Sequence, residues 1–242
     1  MQRKIKRAID IFLALVLLVV LAPVLLGFLV ALWILEGRPL FYVSRRFVGR
    51  DRSIRVFKFR TMYRDAMSPK YRLEERFMRD GYLDIPRTCE VYTPIGRLME
   101  RWQIVELPQL LNVLFDGMSL IGNRPLPERN VNLLRASFPN WGERFDSPAG
   151  ITGISQVAGK LFLDPVHRLA LEAAYSRIYQ SGNVLRCDFL ILWYTAKIVL
   201  TGSGVSPLEA FRVVNLEPPD LAELGRAQER AKRQIAAAGG QR

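Results

Sequence analysis

Residues 11 to 35 read IFLALVLLVVLAPVLLGFLVALWIL, and no charged side chain interrupts these 25 positions. A straight helix of that length is about 37 Å long, against a hydrocarbon core of about 30 Å. A core helix of a soluble protein is rarely apolar all round for so long. A cleaved signal peptide has a shorter apolar stretch and a small-residue end. The run therefore predicts a membrane-embedded helix. Its flanks constrain it further. Arg3, Lys4, Lys6 and Arg7 precede it; Arg38, Arg45, Arg46, Arg50, Arg52, Arg55, Lys58 and Arg60 follow. Cytoplasmic flanks collect Lys and Arg, and here both flanks qualify. Pro23 lies mid-run, where it removes a backbone hydrogen bond and bends a helix. The residues alone leave two arrangements open: a helix bent at Pro23 that returns to its own face, or a spanning helix that obeys the charge rule poorly.

The formal net charge of +12 favours polyanionic partners: nucleic acid, anionic headgroups or phosphorylated substrates. The cations crowd beside the membrane run and no nucleic-acid motif is present, which argues against nucleic acid. Cys89 and Cys187 lie far apart and match no metal or redox spacing, as expected of a reducing compartment. His167 is the only histidine, so a His-based zinc site or a Ser-His-Asp triad elsewhere in the chain is not expected. The length suits one compact domain plus an appendage.

After Gly37 the pattern changes. RPLFYV and SIRVFKF read as two short strands around a basic turn, VGRDRS. Residues 63 to 85 are highly charged and predict a solvated helical segment. Thr93 can cap a helix that starts with Pro94. LPQLLNVLF predicts a helix with one broad buried face. In SPAGITGISQVAGK, Gly150, Gly153 and Gly159 suit either close backbone approach to a ligand or a plain structural loop. Residues 168 to 200 predict two helices broken near Ser181-Gly182-Asn183. The chain divides into a membrane helix (1–36), a cytoplasmic-face domain (37–215) and a tail (216–242) that is a surface helix or disordered.

The residues suggest phosphate handling at a membrane interface. In KFRTM, Lys58 and Arg60 fall on one side of a strand, with Phe59 opposite. A bidentate Arg60 and a point-charge Lys58 suit phosphate. Arg124, in the Gly122-Asn123-Arg124-Pro125 turn, offers another fork. Glu106 suits a Mg²⁺ ion, which takes one or two carboxylates plus substrate phosphates. Equally, Glu106 is an acid placed well against a helix dipole ahead of LPQLLNVL.

The stretches KRAIDIFLALVLLVVLAPV, GRPLF, VFKFRTM, TPIGR, ELPQLLNVL, MSLIGNRP and GITGISQV, with Tyr175, Asp188 and Thr195, resemble in order the bacterial sugar transferases of the monotopic phosphoglycosyl transferase family. The resemblance covers roughly residues 4 to 204. It implies an α/β, mainly helical fold with a small sheet, interfacial amphipathic helices and one re-entrant helix bent at Pro23. It implies transfer of a sugar phosphate from a nucleotide (UDP) sugar to polyprenyl phosphate at the cytoplasmic face of the bacterial inner membrane, initiating exopolysaccharide or other glycoconjugate synthesis. In such enzymes the Asp of an Asp-Glu pair attacks the β-phosphate and releases UMP, with Mg²⁺ held by the Glu. Here Glu106 takes the metal position, with Lys58, Arg60, Arg97, Arg124 and Gln156 as expected substrate-phosphate and donor-pocket residues. A homodimer is a further expectation.

The sequence departs from the pattern at its centre. Val105 stands where the nucleophilic Asp would be, and valine cannot attack phosphorus. Asp116-Gly117 appears in swapped order, Asn123 replaces a Pro, and Pro148 replaces an Arg. Two readings follow. One is an enzyme with Glu106 or Asp116 as nucleophile, or with direct attack by the lipid acceptor. The other is an inactive scaffold that binds lipid, nucleotide sugar or a partner.

Overall fold

The computed structural model describes residues 1–79, 82–83, 85–158, 165–201 and 207–216. Gly159 and the tail beyond residue 216 lie outside these. The apolar run forms most of α1 (Gln2–Glu36), which the structure draws as one helix with Pro23 inside it. A hairpin follows, β1 (Phe41–Phe47) and β2 (Ser53–Phe59), paired antiparallel from Phe41 opposite Phe59 to Phe47 opposite Ser53. Its turn closes through Val48 N–H to the Arg52 carbonyl, as the basic turn predicts.

The charged stretch after it is less helical than expected. Among its described residues only α2 (Leu73–Phe77) is α-helix, followed by the two-residue strands β3 (Met78–Arg79) and β4 (Tyr82–Leu83). Pro69 opens a single 3₁₀ turn, and Arg72 adopts a left-handed φ of 46°, which breaks any longer helix. Next comes α3 (Pro94–Arg101), whose Thr93 side chain accepts from Gly96 N–H at 3.0 Å, the expected cap. A 3₁₀ turn over Ile104–Gln109 leads into α4 (Leu110–Phe115). The chain continues through β5 (Ser119–Ile121), α5 (Glu128–Ser137), β6 (Gly150–Thr152), α6 (Ile154–Val157), α7 (Pro165–Ser181), α8 (Val184–Thr201) and α9 (Pro207–Val213). The break between α7 and α8 falls at Gly182, with φ of 89°, as its sequence predicts.

The largest core cluster joins Ala14 of α1 to Val56, Leu110, Val113, Met118, Ile154, Leu171, Tyr175 and Ile191. A second joins Leu32 of α1 to Phe59, Ile95, Met99 and Val105, with Leu25, Phe28 and Leu29 packed beside it. One stripe of α1 thus packs on the domain towards both of its ends. The opposite faces carry Phe12, Val19, Val20, Leu26 and Ile34, all exposed. The broad buried face expected of LPQLLNVLF divides in the same way. Leu110 and Val113 go inward while Leu111 and Phe115 point out.

The glycines of GITGISQV serve backbone contact within the protein. β5 and β6 pair in parallel, Ser119 with Gly150 and Ile121 with Thr152. A Cβ on Gly150 would stand 2.1 Å from the Gly122 nitrogen, and one on Gly153 would stand 1.9 Å from the Gly122 oxygen. Only hydrogen fits there. The structural reading of this loop is the one the fold displays.

Candidate active site

Glu106 lies in the 3₁₀ turn between α3 and α4, opposite the β1–β2 hairpin. Its carboxylate is held from two sides. Lys58 Nζ of β2 donates to Oε1 at 2.5 Å. The Arg124 fork donates to Oε1 at 2.6 Å and to Oε2 at 3.3 Å. The pairing of β1 with β2 sets Lys58 opposite Tyr42 and Arg46 opposite Ile54, so Tyr42, Arg46 and Lys58 share the hairpin face that carries buried Val56. The guanidinium of Arg46 lies within electrostatic reach of both Arg124 and Glu106. Three cations therefore surround one carboxylate.

The electrostatics follow from that count. Burial works to raise the Glu106 pKa, but the charges and hydrogen bonds of Arg124 and Lys58 outweigh it and hold the carboxyl well below the usual range. Lys58 goes the other way from an ordinary paired lysine. Burial lowers its pKa, the nearby Arg124 and Arg46 add to that, and Glu106 only partly compensates. The site keeps an exposed edge, since the Glu106 side chain remains 20% exposed.

The remaining predicted residues go elsewhere. Arg60 shares an extended stretch with Lys58 but not its partner. β2 ends at Phe59, and the Arg60 guanidinium donates to the Glu36 and Gly37 carbonyls at 3.0 Å each, closing the end of α1. Arg97 donates to the Cys89 carbonyl at 3.3 Å. Gln156 donates to the Ile151 carbonyl at 2.7 Å, within the glycine loop. Asp116 caps the far end of α4 and accepts from Asn112 Nδ2 at 2.7 Å. None of these four touches Glu106. Val105 is buried (5% exposed) among Leu32, Phe59, Ile95 and Met99, facing away from water.

Among the described residues no group of three His, Cys, Asp or Glu side chains comes together. Glu106 therefore offers a metal ion one carboxylate. Both of its oxygens already accept from Lys58 or Arg124, so an ion there would need its remaining ligands from substrate phosphates and water.

Sequence reasoning missed two groups. Arg46 was visible only as one of many flanking cations, because its convergence on Glu106 depends on hairpin register. The second is a buried pair beneath Arg124. Arg144 Nε donates to Glu172 Oε2 at 2.6 Å, and Arg144 Nη2 donates to the Arg124 carbonyl at 2.8 Å. Glu172 also accepts from Ser155 Oγ at 2.9 Å, and its carbonyl accepts from Asn123 Nδ2 at 2.9 Å. No local motif announces that pair.

Comparisons with known proteins bear on this arrangement. A family model described as bacterial sugar transferase matches residues 1–202. The chain is 30% identical over 207 residues to a UDP-N-acetylgalactosamine-undecaprenyl-phosphate N-acetylgalactosaminephosphotransferase of Aeromonas hydrophila, covering 83% of this chain and 44% of that protein. It is 32% identical over 195 residues to an undecaprenyl-phosphate glucose phosphotransferase of Komagataeibacter xylinus, covering 77% and 35% respectively. It is 31% identical over 211 residues to the exopolysaccharide production protein PSS of Rhizobium leguminosarum bv. phaseoli, covering 84% of this chain and all of that one. The chain thus spans less than half of the first two relatives.

Proposed function

This chain belongs to the bacterial sugar transferase family, and we propose that it moves a sugar phosphate from a UDP-sugar to polyprenyl phosphate at the cytoplasmic face of the inner membrane, in exopolysaccharide or related glycoconjugate synthesis. The observation that carries this reading is the cluster of Lys58, Arg124 and Arg46 about the single carboxylate of Glu106. Excess positive charge beside a membrane helix suits a diphosphate donor and a lipid phosphate acceptor. The named activities of the relatives support the same substrates.

In this transfer the bond between the donor β-phosphorus and its bridging oxygen breaks, and UMP leaves with that oxygen. An acceptor phosphate oxygen forms the new bond to the β-phosphorus, giving a lipid-linked diphosphate sugar. We read the step as direct displacement. Val105 has no nucleophilic atom, and Asp116 is bonded to Asn112 away from Glu106. Direct attack needs only in-line positioning and charge stabilisation. Lys58 and Arg124 supply the charge. Glu106 would hold a Mg²⁺ ion, whose chemistry when bound is to neutralise the donor's diphosphate.

The attachment of α1 supports a re-entrant arrangement with both ends on one membrane face. Near its start, Lys6 Nζ donates to Asp188 Oδ2 at 2.6 Å, and Ser119 Oγ donates to Asp10 Oδ2 at 2.7 Å. At its end, Arg60 binds the last carbonyls. Both ties belong to the same domain. Exposed Phe115, Phe189, Trp193 and Leu200 give that domain an apolar surface suited to the interface. Labelling of single cysteines placed at residues 2 and 37 should come from the same side; opposite sides would reject the arrangement.

The test of the reaction is UMP release. Purified protein in nanodiscs is given Mg²⁺, undecaprenyl phosphate and a panel of UDP-sugars. Lipid-dependent UMP release without an acid-trappable protein adduct is expected, lost in Glu106→Gln. A trapped phosphosugar adduct would overturn direct displacement. No release with any donor would overturn the transferase reading.

A further inference from the structure

Glu106 pairs with Lys58 and Arg124, yet a third cation of the site is not engaged in that way. Arg46 projects from β1 on the hairpin face it shares with Lys58. Among the described residues its side chain makes one hydrogen bond, from Nε to Ser44 Oγ at 3.1 Å, within its own strand. Among the described residues no carboxylate lies within ion-pair distance of it. The next residue ties this strand to the Arg124 segment: Phe47 N–H donates to the Leu126 carbonyl at 2.7 Å, and Leu126 N–H returns to the Phe47 carbonyl at 3.1 Å. Arg46 is thereby fixed beside Arg124 by backbone bonds, although two guanidinium groups repel. Burial and then the Arg124 charge act against its own charge, and Tyr42 and Glu106 offset only part of this. A bound anion placed between the two forks would offset this cost.

We propose that Arg46 is a substrate-phosphate contact, the fork that first takes an incoming phosphate while Lys58 and Arg124 are still held by Glu106. The inference rests on the transferase reading for its choice of ligand. The phosphate comes either from the nucleotide diphosphate or from the polyprenyl phosphate. A planar fork whose Nη atoms make no hydrogen bond among the described residues suits either, through two parallel charge-assisted bonds.

The experiment measures binding, not turnover. The full chain in phosphatidylcholine nanodiscs is titrated with UDP and, separately, with a short-chain polyprenyl phosphate, for wild type, R46Q, R46K and the exposed control R45Q. Loss of one charged bond pair predicts roughly tenfold weaker binding in R46Q. R46K should recover part of it, since it keeps the charge without the fork. R45Q should bind as wild type does. The ligand whose affinity falls identifies the phosphate that Arg46 takes. Equal affinities of R46Q and wild type for both ligands would overturn the proposal. So would an equal loss in R45Q, which would mean diffuse surface charge, or no binding of either ligand to wild type. If R46Q does not fold, R46K against R45K makes the same comparison. Arg46-dependent binding in a protein that releases no UMP would retain this inference and sink the transferase reading.

Discussion

Two clusters of lysine and acid are built to opposite specifications. In the first, Lys6 faces Asp10 and Asp188, and all three side chains are almost fully buried. The Lys6 ammonium also donates to the Ile121 carbonyl at 3.1 Å, and Tyr175 Oη donates to Asp188 Oδ1 at 2.7 Å. One cation there meets two acids, and burial pushes the Asp188 pKa up. In the second, Lys58 and Arg124 pair with Glu106, Arg46 lies within electrostatic reach, and a fifth of the Glu106 side chain still sees solvent. The sealed cluster has its polar atoms satisfied from within and ties α1 to β5 and α8. The open cluster sets Lys58, Arg124 and Arg46 about Glu106 and stays open to water, where an anion can reach it. Residue types are similar in the two. Balance of charge and access to water separate an anchor from a binding site.

The largest effect should come from breaking the sealed cluster. Lys6→Met leaves two buried carboxylates without their cation and should cost about 3–5 kcal/mol. Thermal unfolding in detergent checks this, and an unchanged midpoint would mean that the cluster is not an anchor. Val105→Asp tests the border of the open site. It places a carboxyl among Leu32, Phe59, Ile95 and Met99, at a cost of about 3 kcal/mol. Denaturant unfolding should show that loss before any gain in UMP release.

Glu106→Gln should cost less, about 2 kcal/mol at neutral pH, because the site is part-exposed. The sign with pH follows from the depressed Glu106 pKa. The contribution of an ionised Glu106 is fully present above the unfolded carboxyl value of about 4.3, and it fades as pH falls through the folded value. The difference between wild type and variant should therefore shrink as acid is added below about pH 4. A constant difference would mean that the pair with Lys58 and Arg124 contributes nothing through charge. The smallest effect on stability is expected from Trp193→Ser, within about 0.5 kcal/mol, since Trp193 is largely exposed. Its signature lies in the membrane: quenching of tryptophan fluorescence by brominated lipid should drop in the variant.

Much of this was legible along the chain. The uncharged run of 25 residues predicted one long apolar helix, and α1 forms over it, while the cations on both flanks left a re-entrant and a spanning arrangement open. The Thr93 cap, the hairpin about VGRDRS and the break at Gly182 are local signals, and each formed as read, because turns and caps depend on neighbours within a few residues. Glu106, Lys58 and Arg124 were each visible as candidates. Other residues read for the same role dispersed. Arg60 went to the end of α1 and Arg97 to the Cys89 carbonyl, because long cationic side chains satisfy whichever acceptors tertiary packing brings near.

The sequence by itself determined an uncharged apolar run of 25 residues, a formal net charge of +12 and a valine at residue 105. Those are properties of side-chain chemistry, and no folding alters them. The tertiary structure decided which of many cations converge. Lys58 stands 48 residues from Glu106 along the chain, and Arg124 stands 18 away. The pairing of β1 with β2 and the tie from Phe47 to Leu126 bring them, with Arg46, around one carboxylate. Charge acts through space, and distance in space is set only when the strands have paired.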